Sequence, residues 1–194
     1  MSGAAFKFLA RGAVGPISRV PWPRPQADAA GPWLEADAPL ALCRAGVHAC
    51  GADQLAFWLH EELWRVELDG ELSQGIDCVI ASRGRLVARV DVWSEAGGAQ
   101  RFSAAVRDHA AERVSRASAS ERAALEGYVE DATWHVKNAQ RESPALSALC
   151  SAMAVAQLEA RAAGPSVDGD ILEQAYRRAR AWQSDWIVRE MGLS

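Results

Sequence analysis

Lysine is nearly missing from this chain of 194 residues: of 21 basic side chains only Lys7 and Lys137 are lysines, and the rest are arginine. The formal net charge is -4, with acids and bases intermixed. Nucleic-acid binding normally needs a basic face, so that class is set aside. No apolar run approaches the ~18 residues of a membrane helix. The opening "MSGAAFKFLARGAVGP" is interrupted by Lys7 and Arg11 and has no long apolar region, so it does not read as a secretory leader. A cytoplasmic protein is expected. Also missing are a Walker A loop, G-x-G-x-x-G, G-x-S-x-G and H-E-x-x-H, which argues against the familiar nucleotide, hydrolase and zinc-protease classes. Cysteine is sparse, at Cys43, Cys50, Cys78 and Cys150. In a reducing compartment these are expected to be free thiols.

What is present falls into regions of different texture. The first 40 or so residues hold six of the eight prolines. After a short strand at "FKFLA", this segment should run extended, because proline keeps its predecessor out of the helical region. Trp22 and Trp33 are expected to pin it to the body. Residues 40 to 94 alternate in strand fashion. "PLALCRAGVHAC" predicts a strand, a turn at Gly46 and a second short strand. "ADQLAFWLHEE" predicts a helix with Asp53 in its first turn. "LWRVELDGE" predicts a strand with Trp64, Val66 and Leu68 on one face and a turn at Asp69-Gly70. "DCVIAS" and "RLVARVDVW" predict two more strands, the latter with Leu86, Ala88, Val90 and Val92 inward.

Residues 101 to 194 carry helical periodicity. Phe102, Ala105, Val106, His109, Ala110 and Val114 make one stripe. Ser118 to Glu121 reads as a capping box for the next helix, which carries Leu125, Tyr128, Val129, Ala132 and Val136. Ser143-Pro144 opens a third, with Leu146, Leu149, Cys150 and Met153 at helical spacing, ended by Gly164-Pro165. The last buries Leu172, Ala175, Tyr176, Ala179, Trp182 and Trp186 and stops at Gly192. The expected fold class is therefore α+β: a small, mixed, mostly antiparallel sheet in the N-terminal half against a layer of about four C-terminal helices. Residues 1–100 would form a mixed region with its proline-rich strap, and 101–194 a helical region sharing the same core, as one domain.

Chemistry concentrates at "CRAGVHAC". Cys43, His48 and Cys50, with Cys78 as a fourth, supply zinc-ligand types, but no Cys-x-x-Cys knuckle is present. The cysteines are accordingly expected to be metal-free, and no cofactor is assigned. His48 and Cys50 share a strand face and make a candidate Cys-His pair; both packing beneath the helix is the structural alternative. Val47 and Ala49 should face the core, which aims His48 the other way, towards Arg85, Trp93 and His109. His48 and His109 are the candidate catalytic residues, and Arg11, Arg85, Trp93 and Cys50 the candidate ligand-binding ones. His135 is a second helical histidine, and His60 is expected to be solvated. Arg83, Arg85 and Arg89 suit an anion, or alternatively ion pairs with Glu67, Asp69 or Glu71. Eight tryptophans in this length suit an aromatic-walled pocket.

"AFKFLARGAVGPISRVPWP", "GPWLEA", "LALCRAGVHAC", "LWRVELDGE", "VIASRGRLVARVDVW" and "RARAWQSDWIVREMGL" together resemble an uncharacterised family of actinobacterial proteins with a G-[LVF]-H-A-C signature. The resemblance covers most of the chain and implies architecture but no catalytic residue. In element order, strand, "GVHAC", helix and "LWRVELDGE" are remotely similar to the middle of ADP-ribosyltransferase folds. That similarity implies His48 in place of the tyrosine that stacks on nicotinamide, and Arg11 or Lys7 beside the first ligand-binding strand. Glu95 is the nearest glutamate to a catalytic one, although a His-Gly-Thr-like start and a Gln-x-Glu are missing. Two functions remain open: an enzyme on a small organic or nucleotide-like ligand, in secondary metabolism or as an NAD-binding transferase-like effector, and a non-catalytic binding protein. The expected partner is a small-molecule ligand, with a homodimer open to the chain and neither nucleic acid nor membrane.

Overall fold

The computed structural model describes residues 5–26, 29–36, 39–42, 44–95, 97–138, 143–163 and 169–193. It has an antiparallel sheet in the N-terminal half and four long helices after it, an α+β chain. It divides into two compact units, residues 1–98 with 191–194, and residues 99–190.

In the first unit the strands are β1 (Ala5–Leu9), β2 (Leu34–Glu35), β3 (Val47–Ala49), β4 (Glu62–Gln74) and β5 (Val79–Arg89), followed by a one-turn helix α1 (Asp91–Ser94). β1 pairs β4, β4 pairs β5, and β5 pairs both β2 and β3, every pairing antiparallel. Just beyond β3, Cys50 exchanges two backbone hydrogen bonds with Phe6 of β1, at 2.9 and 2.8 Å. The path β1-β4-β5-β3 thus returns to β1, and the sheet closes on itself. Closure hides edges that an open sheet of this size would leave unpaired.

The enclosed face gathers Leu9, Trp22, Val47, Ala49, Trp64, Val66 and Leu86. The strap contributes Trp22 to it, as its apolar character predicts. The other face buries Phe6, Phe8, Leu63 and Trp93 together with Leu55. Burying a large side chain contributes about 1.5–3 kcal/mol, so the two layers outweigh what the two-residue β2 can supply.

Several local expectations are corrected. The strand expected just before Gly46 is not among the described residues, Cys43 lying outside them; Ala41 and Ala45 instead exchange backbone bonds of 2.8 and 2.9 Å. The expected helix after Cys50 is a 3-10 stretch of six residues, Ala52–Phe57. Asp69-Gly70 is not the hairpin turn. β4 runs through it with a bulge, Gly70 sitting at φ +80, and the chain reverses later, where Gly75 N–H donates to Cys78 O at 2.8 Å. "DCVIAS" and "RLVARV" belong to one strand, β5. Ala88 and Val92 are exposed, because a register shift opposite Arg65 and Val66 breaks the alternation and Val92 lies in α1.

The second unit holds α2 (Gly98–Ser115), α3 (Ala119–Asn138), α4 (Ser143–Ala163) and most of α5 (Gly169–Met191). Ser118 and Glu121 do form the capping box: Glu121 N–H donates to Ser118 Oγ at 3.4 Å and Ser118 N–H to Glu121 at 3.0 Å. The core joins Ala110, Val114, Leu125, Ala152, Val155 and Ala179. In α4 the buried stripe is Ser147, Ala148, Ser151 and Ala152 rather than Leu149, which is 43% exposed. Alanine-rich faces let helices approach closely, so small residues rather than leucine mark this contact. Gly192 at φ +63 ends α5 as expected, while Gly164-Pro165 lies outside the described residues.

Candidate functional site

β1 ends at a tight loop that sets the site. Ala10 and Val14 exchange backbone bonds of 2.8 and 3.2 Å, which forces left-handed backbone at Gly12 (φ +89) and at Ala13 (φ +59). An alanine there carries strain that surroundings must hold in place. Two adjacent glutamates at the start of β4 do so. Arg11 N–H donates to Glu61 at 2.9 Å, and Gly12 and Ala13 N–H donate to Glu62 at 2.9 and 3.0 Å. Trp64 Nε1 adds a third donor to Glu62 at 3.1 Å. Glu62 is 7% exposed, and a buried carboxylate needs such donors in place of water.

Beside this loop lies a recess of about 240 Å³ lined by Arg11, Glu61, Glu62, Arg89, Ser94 and Glu95. Arg89, at the end of β5, pairs with Asp91 at 2.7 Å and with Glu95. Ser94 Oγ accepts from Leu63 N–H at 3.4 Å and donates to Val90 O at 3.3 Å. Among the described residues no hydrogen bond or ion pair holds the Arg11 guanidinium. The lining thus offers one cation already spent on carboxylates, one cation that no described residue holds, and the carboxylates of Glu61, Glu62 and Glu95.

Of the residues singled out from sequence, Arg11, Arg89 and Glu95 come together here. His48, Cys50, Arg85, Trp93 and His109 are not in that lining. His48 is half-buried on β3, its Nδ1 2.9 Å from Gly46 O. A carbonyl only accepts, so Nδ1 carries the proton in this bond. Val47 and Ala49 do face the core. Gly46 is indispensable to this turn, since its φ is +131 and a Cβ would sit 2.1 Å from Ile80 Cγ2.

Cys50 is buried, and burial pushes its thiol up to about 12. It donates to Phe6 O at 3.5 Å. Nucleophilic cysteine is thiolate at working pH, so Cys50 behaves as packing. Arg85 pairs with Glu67 at 2.6 Å and Arg83 with Asp69. Both guanidinium groups lie over Trp33, at 4.5 and 4.9 Å, and clamp the strap. Trp93 is 1% exposed, meets Phe8 edge-on at 5.2 Å, and donates to His60 O at 2.9 Å. It is a core anchor.

His109 lies in the helical unit, stacked on Trp182 at 3.8 Å and 14°. Burial, then Arg113, hold its pKa below the ordinary value. His135 lies where side chains are not described. Cys50, Cys78 and Cys150 are free thiols, and among the described residues no three His, Cys, Asp or Glu converge as metal ligands.

Sequence reasoning missed Glu61, Glu62 and Ser94. The available signal was the adjacent pair of carboxylates, Glu61 and Glu62, just ahead of the buried Leu63 and Trp64. No helix among the described residues is long and apolar enough to cross a membrane. Fold and site together define a small closed antiparallel sheet with a charged recess at one strand end. No protein-family model, curated protein or solved structure matches the chain.

Proposed function

We propose that the chain binds a small zwitterionic molecule, one carrying both a carboxylate or phosphate and an amine, in the recess beside Arg11. The observation that supports this is the pairing of an uncommitted guanidinium with a wall of glutamates around about 240 Å³. Arg11 offers a planar fork to an anionic group. Glu61 and Glu95 offer carboxylates to a cationic one. At ~30 Å³ per water the space equals roughly eight waters, which suits a ligand of amino-acid size. The thermal shift of the whole chain is the test, read against panels of amino acids, simple carboxylic acids and simple amines. Ligand at 100 times its Kd stabilises the bound unit by about 2.7 kcal/mol. Zwitterions are expected to raise Tm most, and Arg11→Gln to remove that preference while leaving the unliganded Tm within about 1 °C. A panel in which acids and amines alone match the zwitterions, or in which Arg11→Gln binds as wild type does, refutes the reading.

A second reading is an NAD-binding, ADP-ribosyltransferase-like site. What favours it is that Arg11 and Glu95, two of the residues that the remote similarity points to, line one recess; His48 and Lys7, which it also points to, are not in that lining. NAD belongs in the same screen, and a shift with NAD that Glu95→Gln abolishes would carry this reading instead.

A further inference from the structure

Cys50, whose bridge to Phe6 closes the sheet, has a second cysteine beside it. β3 and β5 run antiparallel, with His48 opposite Ile80 and Ala49 opposite Val79. One step further in the same register, Cys50 faces Cys78. Side chains directly opposite each other in such a pair lie on one face of the sheet. The backbone shows which kind of pair this is. Cys50 spends its N–H and C=O on Phe6, at 2.8 and 2.9 Å. The Cys78 carbonyl accepts from the N–H of Gly75, just past β4, at 2.8 Å. Both residues thus turn their peptide groups away from each other, which makes the pair a non-hydrogen-bonded one. Cα atoms in such a pair stand about 4.5 Å apart, inside the range of roughly 4.4–6.8 Å that a disulfide spans. In the reduced chain the two sulfurs are turned apart. Cys50 Sγ donates to Phe6 O at 3.5 Å, and Cys78 Sγ lies over Gly75, where an added Cβ would sit 2.8 Å from it. A χ1 rotation at each residue, from one staggered well to another, brings them together.

From this geometry we propose that Cys50 and Cys78 are an oxidisable pair, and that a peroxide joins them in a cross-strand disulfide that locks the closed sheet. Access is from the Cys78 side. Cys78 stands at the turn end of the β4–β5 hairpin, next to the loop residues Ile76 and Asp77, and Ile76 is 76% exposed. Gly75 places no side chain over its sulfur. Strand ends open locally more readily than strand centres, and hydrogen peroxide is scarcely larger than water. Cys50 is 1% exposed, so it is the second sulfur to react. The Cys78 thiolate attacks one peroxide oxygen and the O–O bond breaks. Cys78 becomes a sulfenic acid, and the other oxygen leaves as water. Cys50 sulfur then attacks Cys78 sulfur, the S–O bond breaks, and the hydroxyl leaves as water with the Cys50 proton. The two thiols lose two electrons and the peroxide gains them, so one peroxide yields one disulfide and two waters. The new bond ties the hairpin end of β5 to the residue that closes the sheet onto β1.

The experiment exposes the full folded chain to hydrogen peroxide at neutral pH, blocks the remaining thiols with N-ethylmaleimide, and maps linked peptides by mass without reduction. Expected are a Cys50–Cys78 peptide as the dominant disulfide and a Tm raised by roughly 10 °C, the order of effect for a loop of this length. Dithiothreitol should reverse both. In Cys50→Ser, dimedone should trap Cys78 as a sulfenic acid, and the Tm should not rise on oxidation. In Cys78→Ser, Cys50 should stay a thiol. Cys50 pairing with Cys43 instead, or Cys50 and Cys78 remaining thiols in the folded chain after the urea-unfolded chain has formed disulfides, would overturn the assignment. So would a linked chain that melts no higher than the reduced one.

Discussion

Replacing Lys7 by Met should stabilise the protein at neutral pH, which is the reverse of what removing a hydrogen-bonded residue usually does. The drop of its pKa from 10.5 to about 8, at about 1.4 kcal/mol per pH unit, corresponds to roughly 3 kcal/mol of unfavourable burial of the charged form. Methionine has a similar length and no charge to desolvate. It forfeits the bond to the His48 carbonyl, which costs about 1 kcal/mol or a little more. The net expectation at pH 7 is a gain of about 2 kcal/mol.

The sign with pH follows from linkage. Lys7 holds its proton less tightly in the folded chain than in the unfolded one, so the burden is fully present below about pH 8 and disappears as pH rises to 10.5. Cys50 acts in the opposite direction. Its thiol, raised from 9.0 to about 12, contributes stability that is lost as pH rises from 9 towards 12. Wild type should therefore gain stability from pH 8 to 9 and level off before falling. Both proteins carry Cys50, whose thiol is coupled to the Lys7 charge, so the difference between them reports Lys7 together with that coupling. Urea unfolding of wild type and Lys7→Met across pH 7 to 10.5 should show the difference moving by about 3 kcal/mol, from about 2 kcal/mol in favour of the variant to about 1 kcal/mol against it. A variant less stable than wild type at pH 7, or a gap that does not change with pH, would sink the reasoning and make Lys7 a well-solvated cation.

Two further outcomes are expected. Glu62→Gln should cost about 2–4 kcal/mol by thermal unfolding, since a single amide oxygen cannot serve the Gly12, Ala13 and Trp64 donors and its NH₂ opposes them, whereas Glu61→Gln should stay within about 1 kcal/mol. His109, with its pKa held below 6.5 by burial and Arg113 against Glu112 and Glu159, stays neutral where the unfolded imidazole already takes a proton, so stability should decline as pH falls below about 6.5 and flatten beneath the folded value; an imidazole resonance titrating at or above 6.5 would contradict this.

The fold was legible where periodicity and sterics point the same way. The alternation of Trp64, Val66 and Leu68, the stripe from Phe102 to Val114 and the capping box at Ser118 each translate into an element. Misreadings cluster where a local signal was overruled by pairing elsewhere. Asp69-Gly70 has the chemistry of a hairpin turn, yet the cross-strand partners of Leu72, Ser73 and Gln74 on β5 keep β4 going and turn the glycine into a bulge. The residues after Cys50 have helical spacing, but six of them in a 3-10 turn suffice to carry the chain to β4. Closure of the sheet rests on one pair, Phe6 with Cys50, that no local pattern announces.

The site was less legible for a related reason. Motif reasoning weighs residues by reactivity, so it favoured His48, Cys50 and His109. In the fold, each of these is held by its nearest neighbours: a turn carbonyl, a strand carbonyl and a stacked indole. Reactivity instead survives where packing withholds partners. Among the described residues nothing pairs with the Arg11 guanidinium, because only its backbone N–H is used to hold the strained loop. Lys7 retains a strained ammonium because strand alternation, fixed by Phe6 and Phe8 on the opposite face, turns it inward among apolar groups. Neither condition is a property of the residue type. Both arise from what the neighbouring strands leave unsatisfied, and that becomes readable only once register is known.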